Sequence, residues 1–476
     1  MNRVSLLALA LLTLTACGAP AESESGAADV LVTYFEHGRV IVGDGTVIED
    51  AAFVVEDGII TAIGPADEVA HPPGSDRFDL ANHTVMPFLH NLHGHVGYGG
   101  GAVFSASLYS RESIIEDLNR YLYYGVGSVT VLGSDTGDTA FEIRADQKAG
   151  TAGGARIFTA GRGITGRNGW PTTIPALADA PIQVNSEDEA RQAVRDMAAK
   201  QVDFIKVWVD DNRSVTGQIY RGGRLTDQYS TIPKMRSEYY EAVIDEAHLN
   251  NIRVVAHVLY LNDAKSLLAA GVDGIVHSIR DRNVDQAFID AMLENDVFYV
   301  PTLTGHESAF IYGDEPDWVG EQAMRETVSA SASARLTSPR TVGLAKQDPN
   351  SSLTRRQYAT ALRNLKTLAD AGVTIGMGTD SGAMNRFPGY FEHRELKLMV
   401  DAGMTTEQVI LAATQTAAEI LGIQDTTGTL APGRLADFLL MPGDPIEDIL
   451  NSRDIAEVFQ GGRQVDRSAI ILSFSN

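Results

Sequence analysis

Six residues have the side chains to do chemistry together: His93, His95, Lys206, His257, His277 and Asp380. The pair His93-Gly94-His95 follows the apolar run Thr84-Val85-Met86-Pro87-Phe88-Leu89. Side chains alternate along a strand, so two histidines one residue apart project to the same face. Two imidazoles converging at a strand end make half of a divalent-metal site. The pair alone leaves a plainer alternative open, one core histidine and one surface histidine. Lys206, His257, His277 and Asp380 each stand at or near the C-terminal end of a short apolar, β-branched segment. That recurrence describes one site assembled from the ends of several strands.

The elements that would position these residues alternate. Strands are expected at 84–92, 128–132, 155–160, 203–209, 252–257, 273–277, 296–301 and 373–379. Helix-like segments lie between them, among them Arg111–Tyr124, Ser186–Lys200, Ser237–Leu249 and Asn262–Ala270. Ser186 and Glu189 have the spacing of a capping box. Gly271, Gly372 and Gly403 sit where helix ends need a left-handed residue. This order predicts an α/β fold, a (β/α)8 TIM barrel. A doubly wound open sheet is the competitor, but no Gly-rich phosphate loop follows the first strand. Two long excursions, 210–236 and 302–352, follow strand C-termini and are candidate lids. Before the barrel, Val30–Phe35, Arg39–Val42, Ala52–Val55 and Ile59–Ile63 read as short strands separated by turns. After it, Gly428–Met441 reads as a turn entering a strand, and Ile455–Phe459 with Arg463–Val465 as a closing hairpin. The two β segments are expected to pair as one accessory domain.

The chain of 476 residues is long enough for a barrel and an accessory domain. Its formal charge of −24 should repel nucleic acid and anionic lipid, so neither is an expected partner. A single cysteine, Cys17, excludes an internal disulfide and a cysteine-based zinc site. Residues 1–16 have a basic start, a leucine-rich core and a small-residue end, as a secretory signal peptide does. Leu14-Thr15-Ala16-Cys17 resembles a bacterial lipobox, which implies cleavage before Cys17 and its lipidation. Gly18 rather than Asp follows, which implies outer-membrane retention, facing the periplasm or the cell surface. Residues 18–29 read as a flexible tether.

The motifs together resemble the amidohydrolase superfamily, in the branch related to imidazolonepropionase and the metal-dependent dipeptidases. The carrying residues are Met86–His95, Asp203-Phe204-Ile205-Lys206, Val255-Ala256-His257, Val276-His277, Gly376–Ser381 and Gly428–Met441. The resemblance implies a metal-bearing barrel over 85–424, with a small β-sandwich formed by both chain ends, 30–84 and 425–476. It implies His93 and His95 on a first metal with Asp380 as a further ligand, and His257 and His277 on a second. Imidazole and carboxylate ligands suit zinc. An ammonium cannot ligate a cation. Family members with lysine at the position of Lys206 carry it as a carbamate formed with carbon dioxide, bridging two metals. The site is therefore expected to be binuclear, with a single-metal site if Lys206 is unmodified. The residue type alone leaves open a charged Lys206 paired with Asp210 or Asp211.

Amide hydrolysis near neutral pH needs a strong nucleophile and a polarised carbonyl, and a metal-bridging hydroxide would serve. Asp380 would take the hydroxide's proton and pass it to the leaving nitrogen. His277 could polarise the carbonyl. Two departures from the family stand out. Its usual Gly and Ile-Asp before the H-x-H pair are replaced by Phe88, His90 and Asn91, so ligand orientation must rest on something other than a carboxylate there. His90 should face away and pack. Substrate candidates are Arg280, whose fork suits an α-carboxylate, and Arg162. Tyr98 and Tyr260 are candidate oxyanion donors. Arg280 paired only with Asp281 or Asp285 is an equal alternative. His393-Arg394-Glu395 also resembles the family, with no role that residue types assign.

The expected activity is hydrolysis of a C–N amide bond in a dipeptide or N-acyl amino acid, a small-molecule substrate. Cyclic amides (imidazolone-like) and lactones are the second reading. A surface lipoprotein that kept the barrel as an inactive binding module is a third. Membrane contact is expected only through the N-terminal lipid, and a homo-oligomer is left open.

Overall fold

The computed structural model describes residues 31–221 and 224–474, so the expected leader, Cys17 and tether lie outside the described residues. The described residues form a mixed α/β structure. Among them, no helix is long and apolar enough to cross a membrane.

The first and last strands of the described residues meet in one eight-stranded sheet. Phe438–Met441 pairs antiparallel with Thr84–Pro87, which runs parallel to Val32–Ile41. Phe35, Phe53, Phe438 and Phe459 stack in pairs, with ring centroids 4.6–5.5 Å apart, and form this sheet's own core. The first two expected strands are one, Val32–Ile41. The apparent break at His37-Gly38 is a bulge: His37 takes φ 64° and the register shifts between Glu36 and Gly38.

The apolar run read as a single strand, 84–92, divides at Phe88. Thr84–Pro87 stays in the end sheet. Phe88 N–H still reaches Asp437 O there, and Leu89 N–H turns to Gly125 O, beginning Leu89–Gly94 in a different sheet. From here parallel strands alternate with helices. Leu89–Gly94, Val126–Val131 and Arg156–Thr159 pair in order. Ile205–Val209, Val254–Val258, Gly274–Val276 and Phe298–Val300 pair likewise. Asp203 N–H donates to Thr159 O at 2.9 Å, which links the two groups. The expected strand 373–379 carries no continuous ladder. Its backbone instead alternates between neighbours: Gly376 N–H to Tyr299 O at 3.0 Å, Leu92 N–H to Met377 O at 2.9 Å, and Asp380 N–H to His93 O at 2.7 Å. Two short strands after the third, Ile164–Gly166 and Ile182–Val184, have no counterpart in the pattern.

The helices follow their sequence signals. Ser186 caps Glu187–Ala199 by accepting Glu189 N–H, while the Glu189 carboxylate reaches back one residue further than a capping box does, to Asn185 N–H at 2.7 Å. Excursion 210–236 forms a hairpin of Ser214–Arg221 and Arg224–Ser230. Excursion 302–352 is a series of short helices, and its Trp318 packs against Tyr312, Tyr390 and Phe391.

Candidate metal centre

Leu89–Gly94 delivers His93, with His95 one residue beyond the strand, to the rim of a cavity of about 300 Å³. Both rings are buried and their centroids lie 5.5 Å apart. The Asp380 carboxylate joins them, with Oδ1 2.9 Å from His95 Nε2 and 3.4 Å from His93 Nε2. One ligand atom from each residue fits within 4.8 Å of the others. His277 stands 5.1 Å from His93, centroid to centroid, and His257 stands 4.4 Å from His277. All five residues line the same cavity.

Backbone strain collects here. His277 (φ 75°), Thr302 (φ 46°) and Asp380 (φ 61°) are non-glycine residues in the left-handed region, each costing on the order of 1–3 kcal/mol that the surroundings must hold. The Asp380 bend is held by its N–H to His93 O. The His277 bend is held by its N–H to Val300 O at 2.9 Å and by Nδ1 on Thr302 Oγ1 at 2.8 Å. Gly382, at φ 86°, crosses the His95 carbonyl so closely that a Cβ there would lie 1.9 Å from the oxygen. Only glycine permits that crossing.

Lys206 lies in Ile205–Val209 at 1% exposure, and Nζ has no hydrogen-bond partner. Neither alternative carboxylate pairs with it. Asp210 Oδ2 is 3.0 Å from His257 Nε2, and Asp211 pairs with Arg213 at 3.2 Å. Burial lowers the Lys206 pKa to about 7, with Asp380 opposing. A neutral amine is the form that adds to carbon dioxide. Gly163 makes room beside it: a Cβ there would lie 2.3 Å from Trp208 and 3.1 Å from Lys206 Cγ.

Burial and the Lys206 charge lower the pKa of His93, His257 and His277, neighbouring imidazoles add to this for His93 and His277, and nearby carboxylates oppose it. Their rings are neutral at pH 7, the form in which one ring nitrogen can ligate a cation. Burial alone would raise Asp380. Arg386, whose Nη1 is 2.5 Å from Oδ2, together with His93 and His95, instead holds it well below the carboxylate range. Neutral imidazoles, an ionised carboxylate and a buried amine without a partner fit divalent cations as a donor set.

The substrate candidates separate. Arg280 lines the cavity, and neither Asp281 nor Asp285 pairs with it: Asp281 takes Arg282 at 2.8 Å and Asp285 takes Lys265 at 2.6 Å. Arg162 is elsewhere, donating to the carbonyls of Asp179, Ala180 and Pro181 and so fastening that loop. Tyr98 gives its hydroxyl to Ser134 O at 2.5 Å and packs on Phe104 and Tyr109. Tyr260 faces an adjoining cavity, with the Arg213 guanidinium 5.3 Å from its ring centroid. His90 packs, on Ser128 Oγ at 2.8 Å. His393 binds Ser452 Oγ and Tyr124 O, and Arg394 pairs with Glu307, so that motif joins helices rather than facing substrate.

Two cavity residues carry no sequence signal of their own, His306 and Arg386. His306 rides on the helix Leu303–Glu307, whose first N–H groups and Thr304 hydroxyl are held by the buried carboxylate of Glu395. Each follows a strained residue by a few positions, Thr302 and Asp380, and that closeness to a strand end is the only hint available.

Ochratoxinase from Aspergillus niger is 26% identical over 467 aligned residues, covering 91% of this chain and 86% of that protein. The solved structure of a Xaa-Pro dipeptidase with methionine bound in its active site is 26% identical, with a TM-score of 0.67 over 91% of this chain and 99% of its own. Molinate hydrolase, at 19% identity, shares the fold, with a TM-score of 0.71 over 92% of this chain and 96% of its own. The model of the amidohydrolase family matches residues 120–465, well over half of the sequence, and the chain belongs to that family.

Proposed function

We propose that the protein is a metal-dependent hydrolase that cleaves the C–N amide bond of a dipeptide or an N-acyl amino acid. The observation that carries this is Lys206, a buried amine without a partner that interacts electrostatically with His93, His257, His277 and Asp380. His93, His95 and Asp380 would hold one divalent ion and His257 and His277 a second, with Lys206 as a carbamate joining them. When bound, such ions, zinc by ligand type, supply Lewis acidity and lower the pKa of water to roughly 7. The chain's own residues do the rest. Asp380 accepts the proton of the attacking water and returns it to the leaving nitrogen. Arg386 keeps Asp380 ionised and oriented for that exchange. Arg280 receives the substrate's α-carboxylate in a bidentate fork. Phe104, Trp170 and Ile174 on the same wall exclude bulk water from the reacting amide.

The likeness to a Xaa-Pro dipeptidase supports a peptide-like substrate, within the branch of the family that the motifs resemble. The hydrogen bonds running from Leu89–Gly94 through seven further parallel segments support a closed (β/α)8 barrel over 85–424, with 30–84 and 425–476 as its accessory β domain. Residues 1–17 support export as an outer-membrane lipoprotein.

The test is product release by protein lacking residues 1–17, supplied with zinc and bicarbonate. The panel holds dipeptides and N-acyl amino acids varied at the C-terminal residue. Cleavage selective for that residue supports the reading. Two metals without cleavage turns it to cyclic amides and lactones, and neither metal nor cleavage turns it to a binding module.

A further inference from the structure

A second cavity of about 520 Å³ adjoins the metal centre, and Arg280 lines both. Its walls carry four arginines, Arg213, Arg280, Arg356 and Arg363, against one carboxylate, Asp281, which is paired with Arg282, in a chain whose formal charge is −24. Arg356 and Arg363 come from one face of the helix Ser351–Asp370, seven residues apart. They donate to neutral hydroxyls, Arg356 to Ser352 Oγ at 2.6 Å and Arg363 to Thr360 Oγ1 at 2.9 Å. Among the described residues, no carboxylate lies within 4.0 Å of the guanidinium of Arg280, Arg356 or Arg363. Arg213 is the exception, paired with Asp211.

Arg280 itself is incompletely satisfied. Its Nε is buried without a partner. Its Nη1 points at His306 Nδ1 at 2.8 Å, while Ser278 N–H points at His306 Nε2 at 3.2 Å. A neutral imidazole accepts at only one nitrogen. Two donors therefore compete for one lone pair, and Arg280 keeps N–H groups to give to a ligand.

We propose that this cavity is a subsite for the leaving half of the substrate, and that it selects an acidic residue or a short acidic peptide there. Arg280 then stands between the α-carboxylate and the further carboxylates that Arg356 and Arg363 receive. The basic mouth on an acidic molecule also draws such substrates in from solution, an effect that salt weakens. This reading rests on the hydrolase assignment.

The test compares Leu-Glu, Leu-Gln and Leu-Leu as substrates of the zinc-loaded enzyme. The ratio of kcat/KM for Leu-Glu over Leu-Gln should be about tenfold or more at low salt and shrink as sodium chloride is added. It should collapse toward one in the double variant Arg356→Gln/Arg363→Gln and persist in Arg356→Lys/Arg363→Lys. Both arginines are exposed, so the variants keep the fold. Hydrolysis without a preference for Leu-Glu, or a preference untouched by the glutamine pair, overturns the subsite and leaves the hydrolase standing. If none of the three is cleaved, titration of L-glutamate and L-glutamine onto the same proteins decides. Glutamate binding that the glutamine pair abolishes upholds the subsite without the hydrolase, and no difference between the two amino acids overturns it.

Discussion

Asn91 donates its side-chain amide to Glu392 Oε1 at 2.7 Å, across 301 residues of sequence. The other end of the Asn91 amide accepts His93 N–H at 3.0 Å. The same Glu392 oxygen receives the hydroxyls of Thr379 at 2.6 Å and Ser381 at 2.7 Å, the residues on either side of Asp380. One buried carboxylate from the helix Tyr390–Asp401 thus ties the segment bearing His93 to the segment bearing Asp380. It supplies, from elsewhere in the fold, the carboxyl group missing at Asn91.

Glu392→Gln tests this tie. Glutamine keeps the shape but replaces an acceptor with an amide that must find its own acceptor among three donors. Outer partners of metal ligands are typically worth 10–100-fold in metal affinity, and a loss of about that size is expected for zinc. Competition with a chelator measures it. Unchanged zinc affinity in a folded Glu392→Gln would show that Asn91 alone orients His93.

Lys206→Met separates the two fates of that lysine. A buried amine without a partner is a cost in the metal-free protein, about 1–3 kcal/mol for an unsatisfied group. Methionine has nearly the same reach and no polar atom. The metal-free variant should therefore melt at or above the temperature of the metal-free wild type. Bound metal should fall from two to at most one per chain, and bicarbonate should no longer raise it. A variant that keeps two metals and full rate would falsify the carbamate.

Which parts of this were readable before folding follows from how local each signal is. Strand alternation puts His93 and His95 on one side, and they lie 5.5 Å apart. Capping and glycine signals marked helix ends well, as at Ser186 and at Gly271, Gly372 and Gly403, all with positive φ. The division at Phe88 was not readable, because an unbroken apolar run does not say which sheet each half joins. Glu392 and His306 were equally hidden. Their meaning is a contact made hundreds or tens of residues away, and each sits in a segment whose local pattern is ordinary helix. Arg162 shows the converse. Its place after a strand suggested substrate, but three nearby carbonyls without other donors claimed it.

His393 makes stability fall in acid. Burial lowers its pKa from 6.5 to about 4, while the Tyr124 carbonyl opposes that shift and Arg453 and Arg467 add to it. Nε2–H donates to Tyr124 O at 2.9 Å and Nδ1 accepts from Ser452 Oγ at 2.9 Å, so the folded ring is neutral. A depressed pKa means the unfolded chain binds the proton first. Stability is fully present above about pH 6.5 and is lost as pH falls toward 4. One pKa unit is about 1.4 kcal/mol, so roughly 2 kcal/mol should separate pH 7 from pH 4.5 on this account. Calorimetry on wild type and His393→Gln should show the wild type losing more over that window. Parallel curves would remove His393 from the explanation.

Metal removal should abolish activity without unfolding the chain. The ligand side chains already have partners among themselves and their surroundings: His95 with Asp380, Asp380 with Arg386, His257 with Asp210 and His277 with Thr302. Those contacts hold the rings in place, so the metal-free state has a folded minimum of its own. Binding then adds stability by mass action, about 4 kcal/mol at a free zinc concentration a thousand times the dissociation constant. Chelation should lower the melting temperature by several degrees, leave the far-ultraviolet spectrum unchanged at 25 °C, and be reversed by zinc with bicarbonate. Unfolding on chelation would mean that the cation, rather than this web of side chains, holds the strand ends together. Full activity in the metal-free protein would exclude the metal from the reaction and leave Asp380 and Arg386 to account for it.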